Sequence, residues 1–113
     1  MKITIHRGAN QIGGCITEIE SAKGDRIFID FGHNLPEGDK KSDDKFENPN
    51  LLRKVLRGVS DVYYTHYHGD HIGFEYEIYK AGVAQHIGGL SLKMMIHQLK
   101  KMSQLKTKVQ ILK

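Results

Sequence analysis

Apolar and polar positions alternate at the start of the chain. Ile3 and Ile5 are flanked by polar residues across 2–7. Across 15–21, Cys15, Thr17 and Ile19 oppose Ile16, Glu18 and Glu20. A period of two is the signature of a strand with one buried face. Residues 8–14, with Gly8, Gly13 and Gly14, suit a loop that tolerates positive φ. Ala22-Lys23-Gly24-Asp25 is turn chemistry, so a third strand returns over 26–31. There Ile27, Phe28 and Ile29 follow one another, which predicts burial on both faces.

The pattern then changes. Residues 33–50 are polar, with Pro36, Gly38, Pro49 and a dense charged cluster over 37–47. That is long for a connection in a compact domain and points to a functional or mobile loop. Asn50 is expected to cap a short helix over 51–56, ended by Gly58. Further strands are expected over 59–64 and 83–87, with a helix over 74–80 between them. Leu92, Met95, Ile96, Leu99, Met102 and Leu105 recur at three- and four-residue steps, which predicts an amphipathic helix. Residues 109–112 would begin another strand. Strands first, then strand and helix in alternation, imply an α/β or α+β arrangement with helices on one face of a sheet.

At 113 residues the chain is expected to form one domain with a modest core. It has no apolar run near the ~18 residues of a spanning helix, and residues 1–7 are too short and polar for a secretory signal. Cys15 stands alone, which fits a reducing cytoplasm and a small buried strand residue better than a reactive thiol. The net charge of +4 is uneven. Residues 91–113 hold six lysines and no acid, while the first ninety residues carry 11 basic against 13 acidic side chains. The basic end reads as a contact for phosphate backbones, as a solvated helix face, or as a surface covered by further chain.

The strongest chemical signal is Thr65-His66-Tyr67-His68-Gly69-Asp70-His71, with three imidazoles and one carboxylate in six positions. His66 and His68 are two apart, so an extended segment points them to one side. Asp70 and His71 follow across Gly69, which allows a tight turn. Zinc and similar divalent metals take imidazole nitrogen and carboxylate oxygen. His66, His68, Asp70 and His71 are therefore the candidate ligands. The alternative is a hydrogen-bonded polar loop with no metal. Asp30, at the end of the third strand, either accepts the second N–H of a ligating imidazole or simply forms a turn. His33 is a candidate lining residue for the same cleft. His86 and His97 read as ordinary packed or surface histidines. The loop 8–14 lacks the Gly-Lys-Ser/Thr ending of a P-loop.

The His-x-His-x-Asp-His element resembles the metal-binding signature of the metallo-β-lactamase-fold hydrolases. Residues 13–20 and 26–32 are similar to the paired N-terminal strands of that family. The Asp30-Phe31-Gly32 form looks most like the ribonuclease J and β-CASP branch, whose substrates are nucleic acids. The resemblance covers about residues 1–105. It implies a four-layer αββα sandwich of which this chain supplies the first αβ half, a mixed sheet with helices on one face. The exposed sheet face would then need a cover, and a homodimer would provide one. The resemblance further implies two zinc ions, with manganese also accepted. His66 and His68 would serve one ion, Asp70 and His71 the other, with Asp70 a catalytic residue. A metal-bound hydroxide would attack RNA or another phosphodiester. A thioester or lactone hydrolase of the same fold is the alternative within the family. The family's later ligands, another His, a bridging Asp and a final His, would fall beyond Lys113. The chain therefore reads as a truncated N-terminal portion, which raises a third alternative, a non-catalytic metal-binding or assembly module.

Overall fold

The computed structural model describes residues 1–11, 13–35, 44–65 and 68–88, and the backbone of 110–112. Strands β1 (Lys2–Arg7), β2 (Ile16–Glu20) and β3 (Arg26–Phe31) form an antiparallel meander. A 3-10 turn (Lys45–Glu47) and helix α1 (Pro49–Leu56) then carry the chain to β4 (Val59–Tyr64), which pairs parallel to β3. Two short helices, α2 (Gly69–Ile72) and α3 (Glu75–Lys80), lead to β5 (Ala84–Gly88), again parallel. β6 (Gln110–Leu112) extends the parallel part. The strands lie in sequence order, β1 to β6, in one mixed sheet. The expected amphipathic helix over 92–105, its neighbouring lysines and His97 lie outside the described residues.

The helices share one face of the sheet. Leu52 and Leu56 of α1, Ile72 of α2 and Ile78 of α3 bury against Phe28, Val62 and Ile87 in a single cluster. Right-handed crossovers between neighbouring parallel strands place successive helices on the same side in this way. Phe31 is the hub. Its ring meets Phe28, Phe46 and Phe74 edge to face, with centroids 5.1, 5.3 and 5.6 Å away. Phe46 and Asp44 come from the charged stretch that the pattern marked as a polar loop, yet both are buried. Tyr64 donates its hydroxyl to Gln85 Oε1, and Gln85 Nε2 donates to the Glu75 carbonyl at 3.0 Å, so a buried polar chain ties β4, β5 and α3 together.

Two expectations need correction. Asn48, not Asn50, caps α1. Its side chain accepts from the N–H groups of Asn50 and Leu51, and Pro49 takes the first helical position. Proline's fixed φ suits that position, so the cap has to precede it. The third strand is not buried on both faces. Register sets Ile3, Ile19 and Ile27 in one row, and Ile5, Thr17, Ile29, Tyr63 and His86 in another, opposite the helices. Ile27 and Ile29 are half-buried there, while Ile3 and Ile5 are 57% and 54% exposed. Among the described residues no second layer covers this face. No helix among them is long and apolar enough to cross a membrane.

Arg26 fastens α1 to the sheet. It holds Glu18 by two nitrogens at 2.9 and 3.0 Å and donates to the carbonyls of Val55 and Arg57 at 3.0 and 2.6 Å. His6 Nε2 lies 2.9 Å from the same carboxylate. The Arg26 guanidinium bonds, with help from His6 and against the opposing effect of burial, hold the Glu18 carboxyl down to about 2.

Candidate metal centre

β3 and β4 run parallel, so both end on the same edge of the sheet, where loops of open α/β sheets gather ligands. Asp30 sits at that edge in β3. It is the one described non-glycine residue with positive φ, at 60°. Aspartate tolerates this region better than most side chains. Its buried carboxylate has three partners. Oδ1 accepts from the Thr65 N–H at 2.7 Å, and Oδ2 accepts from the Thr65 hydroxyl at 2.7 Å. Oδ2 also lies 2.7 Å from His71 Nδ1. An ionised carboxylate can only accept, so Nδ1 carries the hydrogen. Asp30 thus spans 41 residues of sequence to fix one imidazole, while gathering the end of β4 through Thr65. A β-branched threonine suits a strand end on its own account, so its bond to Asp30 is a finding of the structure.

Asp70 and His71 lie on α2, a single helical turn rather than the tight loop the glycine suggested. His68 is its N-cap residue, and the His68 carbonyl accepts from the N–H groups of His71 and Ile72 at 2.9 and 3.0 Å. The turn leaves His71 Nε2 3.3 Å from Asp70 Oδ2. His68 is exposed, and His66 lies outside the described residues.

The backbone of α2 is gripped from two sides. The Cys15 N–H donates to the Asp70 carbonyl at 3.1 Å, and the His33 N–H donates to the Gly69 carbonyl at 2.9 Å. This approach is closer than any side chain allows. A Cβ on Gly32 would stand 1.9 Å from the Asp70 carbonyl oxygen, and one on Gly13 would stand 2.4 Å from Asp70 Oδ2. The glycines at 13 and 32 are therefore requirements of the site, and they were the part of its surroundings visible in sequence. Arg7 and Asp44 were not visible. Arg7 Nε donates to the Gly14 carbonyl at 2.8 Å, Nη1 donates to Asp44 Oδ1 at 2.7 Å, and Nη2 donates to the Gly32 carbonyl. Asp44 also accepts from the N–H groups of Asn34 and Phe46. Burial works against its charge, but Arg7 and these two N–H groups hold its carboxyl below the usual range. Burial pushes the Cys15 thiol up, and the nearby Asp30 and Asp70 carboxylates add to this, so it stays protonated at neutral pH.

The remaining histidines fall elsewhere. The His33 ring packs on Phe74 with centroids 4.3 Å apart. It lines a cleft of about 580 Å³ between α1 and α3, whose described lining contains none of Asp30, Asp70 and His71. Its backbone serves the α2 turn as well, through the bond from the His33 N–H to the Gly69 carbonyl. His86 pairs with Asp61 at 2.7 Å and stacks on Tyr63 at 4.5 Å, on the open sheet face.

The chemistry of the Asp30–His71–Asp70 group is constrained. With Nδ1–H committed to Asp30, a neutral His71 keeps its lone pair on Nε2, which lies 3.3 Å from Asp70 Oδ2. Both atoms can then act as ligands to one cation. Ligands of a tetrahedral zinc at 2.0–2.2 Å stand roughly 3.3–3.5 Å apart. The pair therefore fits a zinc-type ion in both donor type and spacing. Among the described residues no group of three or more ligating side chains converges. No family model matches the chain, and no curated protein matches it.

Proposed function

We propose that this chain is part of a metal-dependent hydrolase of the metallo-β-lactamase superfamily, acting on a phosphodiester such as RNA. The observation that carries the reading is the Asp30–His71–Asp70 relay. A carboxylate 41 residues away sets the tautomer of His71, which leaves its second nitrogen as an acceptor 3.3 Å from Asp70 Oδ2. Carboxylate–imidazole pairs of this kind are the usual support of a metal-bound histidine. Asp70 and His71 would hold one zinc or manganese ion, and His66 and His68 would contribute to a neighbouring one. Such ions supply a water of lowered pKa and polarise the phosphoryl oxygen. The chain's own part is orientation. Asp30 keeps the proton on Nδ1, and the gripped α2 turn keeps Asp70 and His71 at fixed spacing. The Asp-Phe-Gly ending of β3 is what favours the ribonuclease-like branch.

The same reading gives the isoleucine-rich open face a second layer, supplied by another copy of this chain. Native mass spectrometry with and without zinc reports metal count and oligomeric state together. Bound metal that is lost in Asp70→Asn and His68→Ala variants supports the site. Failure of the wild-type chain to take zinc or manganese overturns it. A monodisperse monomer overturns the homodimer alone. Turnover of a generic phosphodiester ester with added zinc or manganese, absent in His68→Ala, separates a hydrolase from a metal-binding assembly module.

A further inference from the structure

We infer that Arg7, anchored by Asp44, is a positioning residue for the Asp70–His71 turn, acting through two peptide groups. The inference rests on the metal-site reading above. The Gly14 carbonyl and the Cys15 N–H belong to one peptide unit, as do the Gly32 carbonyl and the His33 N–H. A trans peptide is planar, and its C=O and N–H point to opposite sides. Arg7 Nε and Nη2 take the two carbonyls, while the two N–H groups on the far sides donate to the carbonyls of Asp70 and Gly69. One guanidinium therefore sets the rotation of both planes that hold α2. Its third contact, Nη1 to Asp44 Oδ1, fixes the guanidinium itself.

The burial fits this role. The Arg7 and Asp44 side chains are 9% and 2% exposed, so both are shielded from water and held to one geometry. The fork shape matters as well as the charge. A planar guanidinium reaches three acceptors in fixed directions, and an ammonium on a flexible stem does not. Lysine at this position keeps the charge beside Asp44 but releases at least one peptide plane. Gly32 leaves no slack, because its α-carbon lies against the Asp70 carbonyl. A rotated plane must shift the turn that carries the candidate ligands.

The test compares wild type with Arg7→Lys and Asp44→Asn. Native-state amide exchange is followed at Cys15 and His33 without metal, and cobalt(II) affinity is read from its visible absorption bands. A Leu52→Ala variant serves as a control for a general loss of stability. Expected for the Arg7→Lys chain are exchange at Cys15 and His33 raised at least tenfold over core amides, and cobalt binding weakened at least tenfold with altered bands. The control should bind cobalt as the wild type does. Should Arg7→Lys fail to fold, Asp44→Asn, which keeps Arg7 but removes its anchoring charge, is read in the same way. Unchanged exchange at both amides in the folded variant overturns the inference. Raised exchange with wild-type cobalt affinity and bands also overturns it. A wild-type chain that binds no cobalt overturns the metal reading, and the exchange result then decides separately whether Arg7 orders the turn.

Discussion

Replacing Asp30 with asparagine is the sharpest test of the relay, because it separates stability from metal binding. Asparagine has the same shape and also tolerates the φ of 60° found there. Its carbonyl can accept from the Thr65 N–H, and its NH2 can donate to the Thr65 hydroxyl, which reverses that bond. Only the contact at His71 Nδ1 becomes two facing donors. The imidazole relieves this by moving its proton to Nε2, so that Nδ1 accepts. Every buried polar atom then keeps a partner, and charge-assisted bonds become neutral ones. The expected stability cost is about 1–2 kcal/mol. Nε2 then carries a proton and has no lone pair to offer a metal, so zinc affinity should fall by about 10–100-fold. Alanine at the same position leaves Thr65 N–H and His71 Nδ1–H without that acceptor, at about 1–3 kcal/mol each. Urea unfolding in chelator gives the stabilities, competition with a chromophoric chelator gives the affinities, and nitrogen-detected NMR gives the tautomer. Asp30→Asn that binds zinc as tightly as wild type, or that keeps its proton on Nδ1, refutes the reasoning.

Other perturbations give independent outcomes. The Glu18 carboxyl, held at about 2 against an ordinary 4.5, contributes stability that is fully present above about pH 4.5 and lost as pH falls toward 2. Urea titrations from pH 6 to pH 2 should show wild type losing up to about 3 kcal/mol more than Glu18→Gln over that range; parallel curves would remove the role assigned to Arg26. Gly32→Ala sets a Cβ 1.9 Å from a backbone oxygen that cannot rotate away. It should cost about 1–3 kcal/mol or more in a thermal or urea melt and disturb the Asp70–His71 spacing. Asn48→Ala should lower stability by about 1 kcal/mol through loss of the α1 cap while leaving metal affinity as it was, as the same two assays will report.

Much of the fold was readable because period-two patterning and turn chemistry are local signals. The first three strands, β4 and β5 follow directly from such patterns. What escaped notice depended on partners distant in sequence. The charged stretch 37–47 gave no hint that Asp44 and Phe46 are buried, because their burial follows from Arg7 and Phe31, some 37 and 15 residues away. The half-exposure of Ile27 and Ile29 was hidden for a similar reason: an apolar run says that a face is suited to burial, not what covers it. In the site, residue types and spacing singled out His66, His68, Asp70 and His71, and the geometry joins Asp30 to the last two of these. Thr65, Arg7 and the peptide planes they hold act through backbone hydrogen bonds, which side-chain identity does not encode.

The parallel pairing of β3 with β4 also sets an order of assembly. β2 and β3 meet across a short turn, with Glu20 opposite Arg26, whereas Ile29 meets Tyr63 across 34 residues. Closing the longer loop costs more chain entropy before any contact rewards it. The meander should therefore gain protection first during refolding, and the Thr65 amide, tied to Asp30, only once α1 has crossed over. Pulsed hydrogen exchange that protected Thr65 ahead of β2 would reverse this order. A chain still being synthesised would likewise carry His71 as a loose group for a time, meeting its orienting carboxylate only when the sheet closes.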